Sequence, residues 1–316
     1  MRPKVSVCVT TFNHEPYIRE CLDSILTPDV TFPVEIVVAE DGVTRRTRKL
    51  VRGVAARHPQ VRPLFRETNL GANRNFADAL LHCRGEFVAV LDGDDFWTSP
   101  HKLSRQVAFM ETHPELMMSG HLHRIVTWHP DGTSAARLSP RVERRLTLKD
   151  ILRGHYIGSC TMMFRREILP ESMPEWFFAT PSGDWCLEFL AARKGPIGFF
   201  NEIMADYRVH AGGVWRGESA ENHCRWQLEL LDEFRKSTPA SEHAIIDAAQ
   251  GDLHTELAWY YAEAGDLPKG REHLRRAVSL LPLRRRWRPA VLRTRLHLQF
   301  PAVYRGVRRA LRGTGG

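Results

Sequence analysis

Asp92-Gly93-Asp94-Asp95 crowds three carboxylates into four positions, directly after the apolar run Phe87-Val88-Ala89-Val90-Leu91. Like charges this close repel and raise one another's pKa unless a cation sits among them. Hard oxygen ligands at this spacing suit Mg²⁺ or Mn²⁺, with phosphate oxygens and water completing the shell. The competing reading is a solvated acidic turn that caps the next helix, a routine place for Asp. The surrounding elements decide between the two.

The acidic block ends a strand. Residues 87–91 have strand length and β-forming composition, and Gly85 and Gly93 bound them. Upstream, 5–11 (VSVCVTT), 34–39 (VEIVVA) and 61–65 also read as buried strands. Residues 15–26, 44–57 and 72–83 read as the intervening helices. In the first, Ile18, Cys21, Leu22, Ile25 and Leu26 share a face, and Pro16 is tolerated in the opening turn. A helix over 102–112 follows the block. This alternation, with short connections, predicts an α/β fold: a mostly parallel sheet with helices on both faces. Such sheets bind ligands beyond the carboxyl ends of their strands. Three of those ends carry distinctive residues: Thr11-Phe12-Asn13-His14, Glu40-Asp41-Gly42, and Asp92 to Asp95. Parallel strands bring all three to one edge, and that convergence favours a binding site over a bare turn. No Gly-x-Gly-x-x-Gly follows the first strand and no Walker motif occurs, which disfavours the ordinary dinucleotide and P-loop readings.

After Pro114 the pattern changes. Residues 116–128 read as strand, and Pro130-Asp131-Gly132-Thr133 is a turn signal for a hairpin. A short helix over 147–153 precedes a strand-like run, 157–164 (IGSCTMMF). Gly183-Asp184-Trp185 opens a helix that stops at Gly195, and 203–209 is a last strand running into Arg208-Val209-His210-Ala211-Gly212-Gly213-Val214-Trp215. From about 218 onward the composition is helical. Helices over 245–264 and 268–280 resemble one tetratricopeptide repeat, and since a single repeat cannot stack into a solenoid, a helical hairpin is expected. The organisation read from the chain is therefore a domain over 1–217, a helical hairpin region over 218–283 and a basic tail over 284–316.

The chain has 316 residues, and 43% hydrophobic content is ample for a core. Its net charge of +8 belongs to the tail: ten arginines and no acidic residue lie between Arg284 and Arg312. Within it, 301–312 places Val303, Val307 and Leu311 on one face and arginines on the others. That pattern suits an anionic membrane surface, with a solvated end as the alternative. Six cysteines scatter without a Cys-x-x-Cys pair and read as small core residues of a reduced, cytoplasmic protein. There is no signal-peptide apolar region and no run of about 20 apolar residues. The expected location is cytoplasmic, peripheral on the inner face of the membrane.

These residues resemble the family 2 glycosyltransferases of the GT-A fold, over roughly 4–215. VSVCVTTFNHEPYIRECLDSIL resembles the opening strand, turn and helix, and EIVVAEDG the second strand with its acidic pair. NLGANRNFA resembles the next turn and helix, and GEFVAVLDGDDFWTSPHKL the Asp-x-Asp block. SGDWCLEFLA and YRVHAGGVW resemble the base-bearing and late Arg-x-His segments. The pieces occur in the family's order. The family often continues its second strand as Asp-Gly-Ser-Thr-Asp. Here Val43 and Arg45 replace the Ser and the last Asp. The Gln-x-x-Arg-Trp motif of processive members is absent, which argues against polymer synthesis through a membrane.

The resemblance implies metal-dependent, inverting transfer of a sugar from a nucleotide-diphosphate donor, UDP-sugar favoured. The acceptor would be a hydroxyl of a saccharide or a lipid-linked saccharide, in surface glycan synthesis. It implies Mn²⁺ or Mg²⁺ held by Asp94 or Asp95 with His210, and Asp92 facing the ribose or the metal's water. Glu40 and Asp41 would meet the base, Thr11 and Asn13 would shape the floor, and Arg74 would contact base or phosphate. Asp184 is implied as general base, with a helix N-cap as its structural alternative and Glu188 as fallback. Trp97, Trp185 and Trp215 are candidates to stack on sugar faces at the acceptor site or a lid, although judged singly each suits core or lid packing better than a sugar platform. No nucleic acid partner is expected. The rival from another class is a catalytically inactive scaffold acting through the helical C-terminus. Nucleotidyl transfer would need a Gly- and Lys/Arg-rich phosphate loop, and TTFNHEPY is not one.

Overall fold

A computed structural model describes residues 2–26, 28–42, 45–128, 134–142, 144–210, 212–213, 218–302 and 304. The chain divides into two compact units, Met1–Gly217 and Glu218–Gly316.

In the first unit β1 (Val5–Thr11), α1 (Ile18–Leu26), β2 (Val34–Glu40), α2 (Arg45–Ala55), β3 (Val61–Phe65), α3 (Ala72–His82) and β4 (Phe87–Asp92) alternate as the apolar runs require. They are followed by β5 (Phe96–Trp97), α4 (Lys102–Thr112), β6 (Met118–Trp128), β7 (Ser134–Leu138), β8 (Arg145–Leu146), α5 (Leu148–Ile151), β9 (Met163–Arg165), α6 (Gly183–Ala192) and β10 (Ile197–Val209). Among the described residues the strands form one ten-stranded sheet, ordered β3-β2-β1-β4-β9-β6-β10-β5, with β7 on β6 and β8 on β10. The ladders of β1 with β2 and β4, β2 with β3, and β6 with β10 are parallel; the others are antiparallel.

The sheet is covered on both faces. Val5, Val7 and Val9 of β1 share one core with Ile36 and Val38 of β2 and Phe87, Ala89 and Leu91 of β4, at the alternate spacing of a single strand face. Ile18, Leu22 and Ile25 of α1 and Leu103, Val107 and Met110 of α4 close that core. On the opposite face the Cys8 thiol of β1 meets Cys83 at the end of α3. All six cysteines are free and buried.

Two sequence expectations change. The run at 157–164 is not one strand: Ser159–Thr161 is a 3-10 turn and only Met163–Arg165 pairs as strand. Polar side chains cause the break, because Thr161 Oγ1 bonds the Gly158 carbonyl and Ser159 Oγ bonds Asp92. The last strand, expected over 203–209, begins at Ile197, with irregular register on β6 between Phe200 and Asp206. The hairpin turn expected at 130–133 lies outside the described residues, although β6 and β7 pair antiparallel on either side of it.

The second unit contains α7 (Ala220–Lys236), α8 (His243–Ala264), α9 (Leu267–Leu280) and α10 (Pro289–Gln299). Gly265 ends α8 in the left-handed region at φ 85°, and the Asp266 side chain then caps α9 by accepting from the Lys269 N–H. α8 and α9 pack against each other across the short turn at Gly265 and Asp266. Val291 and Leu298 of α10 are buried against the apolar faces of these helices, so the stretch from 289 to 299 is built into the unit. The amphipathic face expected over 301–312 lies almost wholly outside the described residues. No described helix is long and apolar enough to cross a membrane.

Candidate active site

The parallel register sets the site. β1 lies between β2 and β4, with Thr11 opposite Glu40 and Thr10 opposite Asp92. The three strand ends singled out in the sequence therefore share one edge. Gly93 lets the acidic turn seat against that edge. A Cβ there would stand 2.7 Å from Thr11 Cβ and 3.1 Å from His14 Nδ1, so Thr11 forms a floor that no other residue at 93 would fit. Asn13, at φ 56°, turns the chain away from β1.

The second strand end is buried. Glu40 is fully buried and accepts from the Gly42 N–H at 2.7 Å. Burial pushes its carboxyl up to about 7, and Oε2 has no protein partner. Asp41, 2% exposed, accepts from the Leu70 N–H at 2.7 Å and the Gly71 N–H at 2.9 Å. In this conformation Asp41 shapes the 69–71 turn. Arg74, one helical turn into α3, is exposed, and its guanidinium lies 4.5 Å from the Phe178 ring centre. Of the two departures, Val43 and the Arg45 side chain lie outside the described residues.

The three aspartates have three different environments. Asp92 accepts from Thr10 Oγ1 at 2.7 Å and Ser159 Oγ at 2.8 Å; burial and neighbouring Asp94 push its carboxyl up to about 6. Asp94 accepts from His210 Nε2 at 2.9 Å, and His14 Nε2 stands 3.7 Å from the same oxygen. Burial works against its charge, yet these two imidazoles hold its carboxyl below the ordinary range. The Gly212 N–H approaches His210 Nδ1 at 3.2 Å and so orients the ring with Nε2 facing Asp94. Asp95 is 1% exposed, and Oδ1 accepts from the Arg208 backbone N–H at 2.7 Å. Burial, Asp94 and Asp92 raise its carboxyl well above the usual range. Through Oδ1 Asp95 pins β10 to the acidic turn, and its Oδ2 has no protein partner. The Arg208 side chain, 4% exposed, reaches Glu20 at 2.6 Å and covers the Tyr17 ring at 4.7 Å.

Asp94 Oδ2 and His210 Nε2 thus converge on one point, a hard oxygen beside an imidazole nitrogen, which fits Mn²⁺ better than Mg²⁺. Among the described residues no group of three His, Cys, Asp or Glu side chains is placed to hold a metal by itself. The pair fits a cation whose remaining ligands are phosphate oxygens and water.

Asp184 lies in the first turn of α6, not at its N-cap, which is Ser182. Its Oδ1 accepts from the Trp185 N–H at 2.8 Å, and its Oδ2 stands 3.2 Å from His155 Nε2. Sequence reading missed His155. It lies in an aperiodic stretch, Gly154-His155-Tyr156, and only the fold brings it to α6. Glu188, the fallback base, is fully buried and accepts from the Ile157 N–H at 2.5 Å, so it cannot meet an acceptor.

The tryptophan expectations need correction. Trp97 is 5% exposed in the core and donates its indole N–H to the Cys160 carbonyl at 3.0 Å. Trp185 is 2% exposed and donates to the Ile151 carbonyl at 2.9 Å. Both rings are packing elements with satisfied N–H groups, and neither faces a sugar. Trp215 lies outside the described residues.

Comparisons with known proteins give the family and the fold. The family model "Glycosyl transferase family 2" matches residues 6–172, a span that includes the three strand ends but not Asp184 or His210. An uncharacterized protein of Mycobacterium tuberculosis is 32% identical over 335 residues, covering 99% of this chain and 94% of its own. A putative teichuronic acid biosynthesis glycosyltransferase of Bacillus subtilis is 30% identical over 75% of this chain and 92% of its own. Among solved structures, S. aureus TarS residues 1–349 in complex with UDP-GlcNAc superposes with a TM-score of 0.64 at 20% identity, covering 98% of this chain and 92% of that one. The mannosyltransferase PcManGT from Pyrobaculum calidifontis, in complex with GDP-Man and Mn²⁺, does so with a TM-score of 0.60 at 21% identity, covering 97% and 83%. Both share the GT-A-type fold.

Proposed function

The chain belongs to glycosyl transferase family 2, and we propose that it is a divalent-metal-dependent, inverting glycosyltransferase using a nucleoside diphosphate sugar. The observation that carries this reading is the Asp94–His210 pair at the edge where β1, β2 and β4 end. The donor's diphosphate would lie at that edge, with Asp94 and His210 holding the cation, Asp92 towards the ribose, and Arg74 free to reach base or phosphate. Thr11 and Asn13 form the floor, and Glu40 and Asp41 support the wall behind the base. When bound, the cation neutralises the departing diphosphate as a Lewis acid. Asp184 takes the proton of the acceptor hydroxyl as that oxygen bonds the anomeric carbon and the bond from that carbon to the diphosphate oxygen breaks. A single displacement of this kind inverts the anomeric centre. Glu188, buried and held by backbone N–H groups, is no second nucleophile.

Titration calorimetry with a panel of nucleoside diphosphates, with Mn²⁺ and with EDTA, tests the reading. Tight binding of one nucleotide, UDP first among those to try, is expected only with the metal. Equal binding in EDTA would overturn the metal dependence, and no binding of any nucleotide would overturn the donor reading.

We further propose a saccharide or lipid-linked acceptor at an anionic membrane face, reached through the basic C-terminal stretch. Leu283, Trp287, Leu296 and Phe300 are each at least half exposed, at 74%, 67%, 55% and 50%. Arginines interleave them, and the Arg295 guanidinium lies 6.0 Å from the Trp287 ring centre. Exposed apolar side chains among unbalanced positive charge match a bilayer that is apolar inside and anionic outside. The protein is expected to sediment with vesicles containing anionic phospholipid and not with zwitterionic ones. Replacing Trp287, Leu296 and Phe300 with serine should weaken that binding about tenfold per side chain. Sedimentation unaffected by the triple replacement would sink the idea, as would a dimer that these replacements dissociate without any vesicle binding.

A further inference from the structure

The segment from His155 to Ser159 touches both halves of the site. His155 stands between two carboxylates of α6, with Nε2 3.2 Å from Asp184 Oδ2 and Nδ1 3.1 Å from Glu188 Oε1. Asp184 and Glu188 are four residues apart, so they project from one helix face a turn apart. Ile157 donates its N–H to Glu188 at 2.5 Å, and Ser159 donates its hydroxyl to Asp92 at 2.8 Å. Between them, Gly158 lies so close to the His123 ring that a Cβ would stand 2.7 Å from its Cε1. Five consecutive residues thus tie the start of α6 to the end of β4, and so set where Asp184 stands relative to the donor edge.

We propose that His155 is a positioning residue: as an imidazolium anchored on buried Glu188, it fixes the Asp184 carboxylate in place and keeps it ionised. The proposal rests on the reading of Asp184 as the base. A neutral imidazole donates from one nitrogen, whereas two carboxylates face the two nitrogens of His155, so only the cation satisfies both. Desolvation opposes that charge only in part, since the side chain is 35% exposed, and Asp184 and Glu188 outweigh it and hold His155 well above its ordinary range. The two carboxylates diverge. Burial pushes Asp184 up, yet His155 and the Trp185 N–H bring it below the usual range. For Glu188 burial wins, and its carboxyl is raised. Of the pair, Glu188 takes a proton first and Asp184 remains the base, the separation of roles that paired carboxylates need. No second cation competes from β6, because burial lowers His123 to about 4. From β4, Asp92 faces Asp184 as a like charge, and from β10 the Tyr207 phenol, raised by burial, stays neutral. These surroundings would lift Asp184 if His155 were absent.

The test compares kcat against pH, at saturating donor, for the wild type, His155→Gln and His155→Arg, with nucleotide affinity measured alongside. His155→Gln should lower kcat about tenfold to a hundredfold, the cost of a loosened base. It should also move the acidic limb up by about 1 to 3 pH units, as a carboxylate does on losing a cationic partner. His155→Arg keeps a cation there and should hold that limb near the wild-type position. Nucleotide affinity should be unchanged in both. A His155→Gln limb that overlays the wild type overturns the proposal. If that variant does not fold, Glu188→Gln serves instead: it leaves His155 with one anion, lowers its pKa and should bring an alkaline fall in kcat to lower pH. An alkaline limb unmoved in Glu188→Gln also overturns it. Asp184→Asn separates the two levels. If that variant is active, the base reading falls and this inference with it. If it is inactive while the His155→Gln limb stays put, only the inference falls.

Discussion

Asp94→Asn is expected to abolish metal-dependent nucleotide binding and to lower kcat/KM about 10³-fold, while Asp95→Asn leaves nucleotide affinity almost untouched. The two residues are neighbours of the same type, and both substitutions are isosteric, so the contrast isolates where each carboxylate points. Asp94 meets His210 at 2.9 Å and is kept ionised by His210 and His14. An amide there brings no negative charge to a cation or diphosphate. Asp95 turns inward, and its Oδ1 accepts from the Arg208 N–H. Asn keeps that acceptor. At the buried Oδ2 position, which has no protein partner, it places a neutral amide in a setting that already disfavours the charged carboxylate. Asp95→Ala differs from Asp95→Asn. It strands the buried Arg208 N–H, and the expected loss is about 1–3 kcal/mol of stability, read as a lower melting temperature. Calorimetry with and without Mn²⁺, and initial rates at saturating acceptor, distinguish the variants. Loss of binding in Asp95→Asn with binding retained in Asp94→Asn would reverse the assignment.

This contrast marks where the sequence stops being informative. The strand-end motifs were legible because periodicity is a local property. Apolar runs at 5–11, 34–39 and 87–91 state strand, and parallel pairing of β1 with β2 and β4 then brings their ends together. Which of Asp94 and Asp95 faces outward depends on the turn after β4 and on the return of β10, residues more than a hundred positions away. Spacing alone cannot supply that. Trp97 and Trp185 show the same dependence on the fold. Indole suits a sugar face and a core equally, and only the carbonyls of Cys160 and Ile151, waiting for the two N–H groups, place Trp97 and Trp185 inside. His155 left no pattern in its own neighbourhood, since both of its partners lie on α6.

Asp184→Asn should lower kcat about 10²–10⁴-fold while nucleotide affinity and its metal dependence stay as in the wild type. The side chain is placed for this chemistry by three features. It sits in the first turn of α6, where the helix N-terminus favours an anion. Its Oδ1 is fixed by the Trp185 N–H and its Oδ2 by His155. It also shares a face with Glu188, which anchors the turn carrying His155. Asparagine fits the same space and can accept from Trp185, so the fold should survive, at a cost of about 0.3–1 kcal/mol for the lost charge at the helix start. An amide cannot take the acceptor's proton, however, and its N–H₂ turned towards His155 favours the neutral ring there. The loss should therefore appear in kcat at every pH and should not be recovered by raising the acceptor concentration. A variant that keeps more than about a tenth of wild-type kcat would remove Asp184 from the proton transfer, because positioned bases contribute more than that. Proton abstraction would then have to come from the acceptor's own surroundings or from solvent, and the geometry around His155 would serve packing alone.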